Sequence, residues 1–207
     1  MSSTDDEAPR LTLRERKKLR TRAAIRRAAY RLVGARPWET ITTEQLAAAA
    51  DVSPSTVTRY FPVKEDILLT DDADELLEAR LLARPAGEDP LDSLRAVVTD
   101  AVSAALAEQR EQVLLRARLL VELPAVRARL TETTAETAQR LAGVLARRTG
   151  RDADDLEVRV FTAAVLAALR EATVYWAEQG HDPEALVPLL GRTVDALRGG
   201  PALRARP

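Results

Sequence analysis

Ser55, Thr56, Thr58, Arg59 and Tyr60 crowd into six consecutive positions between Pro54 and Pro62. Three hydroxyls, a guanidinium and a phenol could in principle activate a nucleophile or hold a ligand. Nucleophilic catalysis needs a base, and the chain has one histidine, His181, beside Gly180 where a turn is expected. It has no cysteine, no glycine-rich phosphate loop and no nucleophile elbow, so nothing favours an enzyme. A lone histidine without cysteine also excludes thiolate and multi-histidine metal sites, and no cofactor is expected. What remains is non-covalent recognition. Hydroxyls donate and accept, and the arginine fork offers two parallel donors, the set that reads base edges and phosphates.

The flanking residues dictate how this cluster is held. Ser53 caps a helix with Pro54 at its first position, where the missing N–H costs nothing, and Pro62 stops it after Tyr60 or Phe61. Upstream, Thr43 is expected to cap a helix running through Leu46-Ala-Ala-Ala-Ala50, broken by Asp51-Val52-Ser53. Small alanines at 47–50 let two helices approach closely, and Val52 and Val57 seal the space beneath the turn. A buried structural helix would not point Ser55, Thr58 and Arg59 outward with so little apolar content. A helix entering the major groove would.

Charge adds a second observation. The whole chain is near neutral, at −1, yet from Arg10 to Arg36 there are eleven basic residues and one acid, Glu15. A solvated helix face is the bland account; an anionic partner is the other. Residues 1–12 read as a disordered arm. Leu13 to Gly34 reads as the first helix, with Ile25, Ala28, Ala29, Leu32 and Val33 as its core stripe, and Trp38 plugs the core after Pro37.

The remainder is periodic and aliphatic, with 46% hydrophobic residues and only 3% aromatic. A fourth helix is expected from near Lys64, carrying Ile67, Leu68, Leu76 and Leu77, to before Arg84-Pro85. Helical segments follow at about 91–109, 111–122, 124–149, 153–179 and 183–198. The expectation is an all-α fold of about nine helices: an arm at 1–12, a helix-turn-helix domain at 13–66, a larger helical domain at 67–198 and a tail at 199–207. The acidic N-terminus has no apolar stretch of a signal peptide, and no apolar run approaches a membrane span, so a cytoplasmic protein without a membrane partner is expected. Segment 153–179 is apolar on all sides, which implies burial against its own core and a partner chain. Segment 183–198 offers Leu186, Val187, Leu189, Leu190, Val194 and Leu197 as a companion stripe.

From Ile41 to Leu68 the sequence resembles the DNA-binding segment of the TetR family of transcriptional regulators. The matching positions are Thr43, Leu46, Ala47, Ala50, Val52, Ser53, Thr56, Tyr60, Phe61, Pro62, Lys64, Glu65 and Leu68. The resemblance implies phosphate contacts by Thr43, Tyr60 and Lys64, with base or near-base contacts by Ser55, Thr56, Thr58 and Arg59. Many members carry tyrosine where Thr58 stands, so the base contacts here can differ. Arg59 suits either a guanine or a phosphate, and Arg10 and Arg14 either a minor groove or a plain arm. The resemblance further implies a homodimer through 153–179 and 183–198, a near-palindromic double-stranded operator, and repression relieved by a small molecule. Ligand-contact candidates are Arg116, Leu119, Glu122, Thr162, Val165, Arg170 and Trp176; arginines among apolar side chains suit an elongated apolar ligand with an anionic end, such as an acyl-CoA. The competing reading is a helical structural or interaction protein, which leaves the short polar helix and the basic run unexplained.

Overall fold

The computed structural model describes residues 12–69, 73–180 and 182–200; residues 1–11 of the expected arm, His181, and the tail beyond Gly200 lie outside them. The described residues form nine α-helices, one 3-10 turn and no strand. They divide into two units between Leu68 and Leu69.

The first unit comprises α1 (Leu13–Val33), the 3-10 turn Trp38–Thr40, α2 (Thr43–Ala50), α3 (Pro54–Tyr60) and most of α4 (Asp66–Leu69). Ile25, Ala28, Ala29 and Val33 lie buried at helical spacing along α1. Leu46 and Ala47 of α2, Val57 of α3, and Trp38, Ile41, Phe61, Ile67 and Leu68 are buried in the same unit. The cap of α2 corrects the expectation: Thr42 holds it, with Thr43 as the first helical residue. The reason is spacing. Gln45 stands three residues after Thr42, so the Thr42 hydroxyl accepts from the Gln45 N–H (3.3 Å) while the Gln45 side chain accepts from the Thr42 N–H (3.0 Å). Asp51 ends α2 in the left-handed region (φ 56°, ψ 47°), a conformation aspartate tolerates, and this makes the turn into α3 tight. Ser53 caps α3 as expected, accepting from the Thr56 N–H at 3.2 Å.

The second unit comprises α5 (Ala73–Leu82), α6 (Pro90–Glu122), α7 (Pro124–Thr149), α8 (Leu156–Glu178) and α9 (Pro183–Arg198). The single helix expected from Lys64 onward is instead α4 and α5, on either side of residues 70–72, and Lys64 precedes α4. Segments 91–109 and 111–122 join as α6, but Gln109 departs from helical geometry (φ −138°, ψ 35°) at the boundary the sequence marked. Leu81, Leu94, Val97, Leu141, Val144, Leu145, Val165, Leu169, Trp176, Leu186, Leu190 and Val194 form the common core.

Arg148, in the last turn of α7, ties the end of α5 to the start of α6. Its guanidinium donates to the carbonyls of Leu81, Arg84 (3.0 Å) and Pro85 (3.0 Å), and to the buried Ser93 hydroxyl (3.0 Å). Ser93 in turn donates to Glu88, which is clamped by Arg84. These bonds hold the Glu88 carboxyl at about 2, well below its ordinary value, chiefly through Arg84 and then Ser93.

α8 is long and apolar enough to cross a membrane by length and composition, contrary to the sequence reading. Within the fold it is a two-faced core helix. Val158, Thr162, Val165, Leu169, Ala172 and Trp176 are buried at helical spacing, whereas Leu156 (71%), Val160 (57%) and Tyr175 (52%) face outward.

Candidate nucleic-acid interface

Two short helices joined by a tight turn expose their polar atoms on the first unit. α3 shows solvent Ser55, Thr58 and Arg59 on its outer face while Val57 anchors it from beneath. The hydroxyls are pre-oriented by the helix itself. Ser53 Oγ lies 2.9 Å from Ser55 Oγ and 2.8 Å from Thr56 Oγ1, and Thr58 Oγ1 donates to the Pro54 carbonyl at 3.3 Å. Thr58 therefore presents lone pairs and a methyl group outward, able to accept from a base amino group or to touch a thymine methyl.

The long side chains are held differently. The Arg59 guanidinium rests 5.2 Å from the centre of the Tyr60 ring. Its fork and the Tyr60 hydroxyl hydrogen-bond to nothing among the described residues, leaving both donors for an incoming anion. Thr43 is half-buried at the first position of α2, where backbone N–H groups without intrahelical partners favour a phosphate. Next to it, Glu44 competes for those donors: its carboxyl is lowered by its own backbone N–H and then by Thr42.

Lys64 has a structural attachment that its sequence position did not announce. Its ammonium donates to the carbonyls of Trp38 and Ile41, both at 3.0 Å, and sits 4.6 Å over the Trp38 ring. Trp38 Nε1 donates to Glu65 at 3.4 Å. The turn before α4 is thus stapled to the turn before α2, and one ammonium proton is left for another acceptor.

Two arginines of the basic run are also engaged within the fold. Arg22 lies 4.7 Å over the Phe61 ring and donates to the Tyr60 carbonyl at 3.3 Å. Arg31 donates to the Ala49 carbonyl at 2.9 Å. Each guanidinium caps the C-terminal carbonyls of one helix of the pair, where a cation is favoured. The sequence reading treated both as anonymous charge. Arg14, Arg16, Lys17, Lys18, Arg20 and Arg27 remain as exposed cations on α1.

A polar seven-residue helix, capped at both ends and set after a left-handed turn, is the core of a helix-turn-helix. Residues 25–70 match the family model for bacterial regulatory proteins, tetR family, and residues 88–202 match the MftR C-terminal domain. The chain belongs to the TetR family. It is 33% identical to the HTH-type transcriptional regulator TcmR of Streptomyces glaucescens, over 95% of this chain and 93% of that protein. Among solved structures it is similar to Thermus thermophilus FadR, a TetR-family transcriptional repressor in complex with lauroyl-CoA. That match has 27% identity and a TM-score of 0.52, covering 90% of this chain and 97% of the other. It also shares the fold of NalD from Pseudomonas aeruginosa, with 24% identity and a TM-score of 0.52, over 86% of this chain and 96% of that one. This TetR-family protein is a DNA-binding transcriptional regulator.

The second unit of the regulator has a cavity of about 80 Å³ among α5, α6, α7 and α8, walled by Leu77, Leu81, Leu94, Val97, Leu141 and Leu166. Glu78, Thr137 and Arg140 also line it. None of the seven ligand-contact candidates lines this cavity. Arg116 donates to the Leu69 carbonyl, Glu122 pairs with Arg118 at 3.4 Å, and Arg170 reaches Glu171 and Thr131. Leu119 and Val165 are core residues. Buried Thr162 donates to the Arg159 carbonyl, and Trp176 Nε1 to the Asp182 carbonyl at 2.6 Å. Backbone carbonyls thus accept from Arg116, Thr162 and Trp176, while side chains partner Glu122 and Arg170.

Proposed function

We propose that this regulator is a homodimeric repressor, acting in the cytoplasm, that reads a near-palindromic operator and releases it when a small effector with an apolar body and an anionic end binds its second unit. The observation that carries DNA reading is the outer face of α3, with Arg59 and Tyr60 uncommitted beside the hydroxyls of Ser55, Thr56 and Thr58. In this reading Thr43, Tyr60 and Lys64 hold phosphates and set the register, and Arg59 with the three hydroxyls reads the bases.

Dimerisation is supported by the outward stripe of α8. Leu156, Val160, Ala163, Ala167 and Tyr175 recur along one exposed face of a helix whose opposite face is already buried. A second copy covering that stripe would pair two α3 helices on two half-sites. The effector arm draws support from the cavity in the second unit and from the lauroyl-CoA complex of the Thermus relative.

The test is footprinting and anisotropy on the DNA flanking the regulator's own gene. Protection of a two-fold site, with affinity falling steeply as salt rises, is expected. Tyr60→Phe should weaken binding; unchanged affinity would remove Tyr60 from the phosphate contacts. Val160→Glu should give monomers by light scattering and lose cooperative protection of the second half-site.

A further inference from the structure

α1 carries nine basic residues and one acid, Glu15. Arg22 and Arg31 are engaged by the carbonyls of Tyr60 and Ala49. Arg16, Arg20 and Arg27 are not. They follow one another at four and seven residues, so a period of about 3.6 puts them in one narrow stripe. Ile25 and Ala29, both buried, stand nine residues beyond Arg16 and Arg20, about two and a half turns away and hence on the opposite side. α1 packs on α2, and α2 on α3. The stripe thus looks away from the reading helices, and the body of α1, about 10–12 Å across, stands between them.

The stripe is charged without compensation. All three side chains are exposed and make no ion pair or side-chain hydrogen bond among the described residues. The second unit treats its exposed arginines differently: Arg95 pairs with Asp195, Arg110 with Glu184 and Arg151 with Asp155, each at 3.2 Å. Like charges four residues apart, as Arg16 and Arg20 are, work against the helix that carries them. A bound anion turns that repulsion into attraction. The spacing suits a polyanion better than a single ion. From Arg16 to Arg27 the helix rises about 16 Å, a length over which one strand of duplex DNA presents about five phosphates. Each planar fork can take one of them through two parallel hydrogen bonds.

We propose that Arg16, Arg20 and Arg27 form a second, sequence-independent DNA surface, which holds the phosphate backbone of another duplex segment while α3 reads the operator. One chain then touches two segments, and the regulator passes from one to the other without first coming free. The proposal rests on α3 as the reading helix; neither the dimer nor the effector enters it.

The experiment compares the full chain with a stripe variant, Arg16→Gln/Arg20→Gln/Arg27→Gln, and a charge-matched control, Arg95→Gln/Arg110→Gln/Arg151→Gln. Glutamine keeps the helix propensity, and circular dichroism checks that each variant is folded. By anisotropy on a short duplex of random sequence, the stripe variant should bind ~10-fold more weakly, and its slope of log affinity against log salt should be smaller by about 2–3 units, one for each lost phosphate contact. On beads carrying one random duplex, capture of a second, fluorescent duplex should fall at least ~5-fold in the stripe variant and stay at the parent level in the control. Wherever the parent protects an operator, the stripe variant should protect it within ~3-fold, since α3 is untouched. Unchanged capture by the stripe variant, or an equal loss in the control, would overturn the proposal. So would an equal loss of operator protection, which would put the stripe on the operator duplex itself. Competition by polyglutamate as strong as by duplex DNA would assign the surface to an acidic protein and overturn it too. If the parent protects no operator, the operator reading fails, while capture of the second duplex still decides the surface.

Discussion

The Arg22 guanidinium lies over the Phe61 ring, 4.7 Å from its centre, and donates to the Tyr60 carbonyl at the end of α3. A helix of seven residues leaves most of its carbonyls without intrahelical partners, so a fixed cation there determines how α3 sits on α1. The basic run therefore does two things: exposed cations supply charge, and Arg22 and Arg31 hold the reading helices in place.

Arg22→Lys keeps the charge but loses the guanidinium's contact with the ring and its fork. Operator affinity is expected to fall about 5- to 10-fold, consistent with one charged hydrogen bond and one ring contact. Binding to non-operator DNA should change little. Anisotropy with both DNAs gives the ratio, and an equal loss on both would show that Arg22 acts only as a charge.

Lys64 makes two predictions that can be separated. Its bonds to Trp38 and Ile41 lie within the core of the first unit, so Lys64→Met should lower thermal stability by about 1–3 kcal/mol. If the remaining proton holds a phosphate, the slope of log affinity against log salt should also fall by about one unit. A stability loss with an unchanged slope would make Lys64 a staple only.

Glu44 sits where a phosphate is expected, at the N-terminus of α2. Its carboxyl is lowered by its own backbone N–H and then by Thr42, so it competes with DNA for N–H groups at that helix end. Glu44→Gln should tighten DNA binding about 3-fold, by analogy with the modest worth of a charge at a helix end. The gain should shrink at high salt; a weaker complex would contradict this account.

Glu88 contributes to the acid response of the second unit. Its folded value of about 2 lies below the ordinary carboxylate value of 4.5, so its contribution to stability is full above 4.5 and is lost as pH falls toward 2. Glu88→Gln should therefore lower Tm at pH 7, and the gap from the parent should close between pH 4.5 and 2. A constant gap over that window would show that Glu88 acts through packing alone.

The helix-turn-helix was legible in the chain because its determinants are local. Ser53 and Pro54 start α3, Pro62 follows its end, and the polar outer face needs only the 3.6-residue period to be seen. The segment bounds near 109 and 149 were set by local pattern for the same reason. The cap of α2 was missed by one residue, since Thr42 and Thr43 are both capable and only the reciprocal bond with Gln45 chooses between them. The two-faced character of α8 was likewise written in its apolar surround, whereas which face meets its own core depends on α7 and α9. Contacts between residues far apart in sequence could not be read at all. Arg22 with Tyr60, Lys64 with Trp38, Arg148 with Leu81 and Arg140 with Glu78 are all charged side chains whose partners are chosen by how helices pack. A charge has no period and no directionality along the chain, so only the tertiary structure decides whether it faces solvent, caps a helix or lines a cavity.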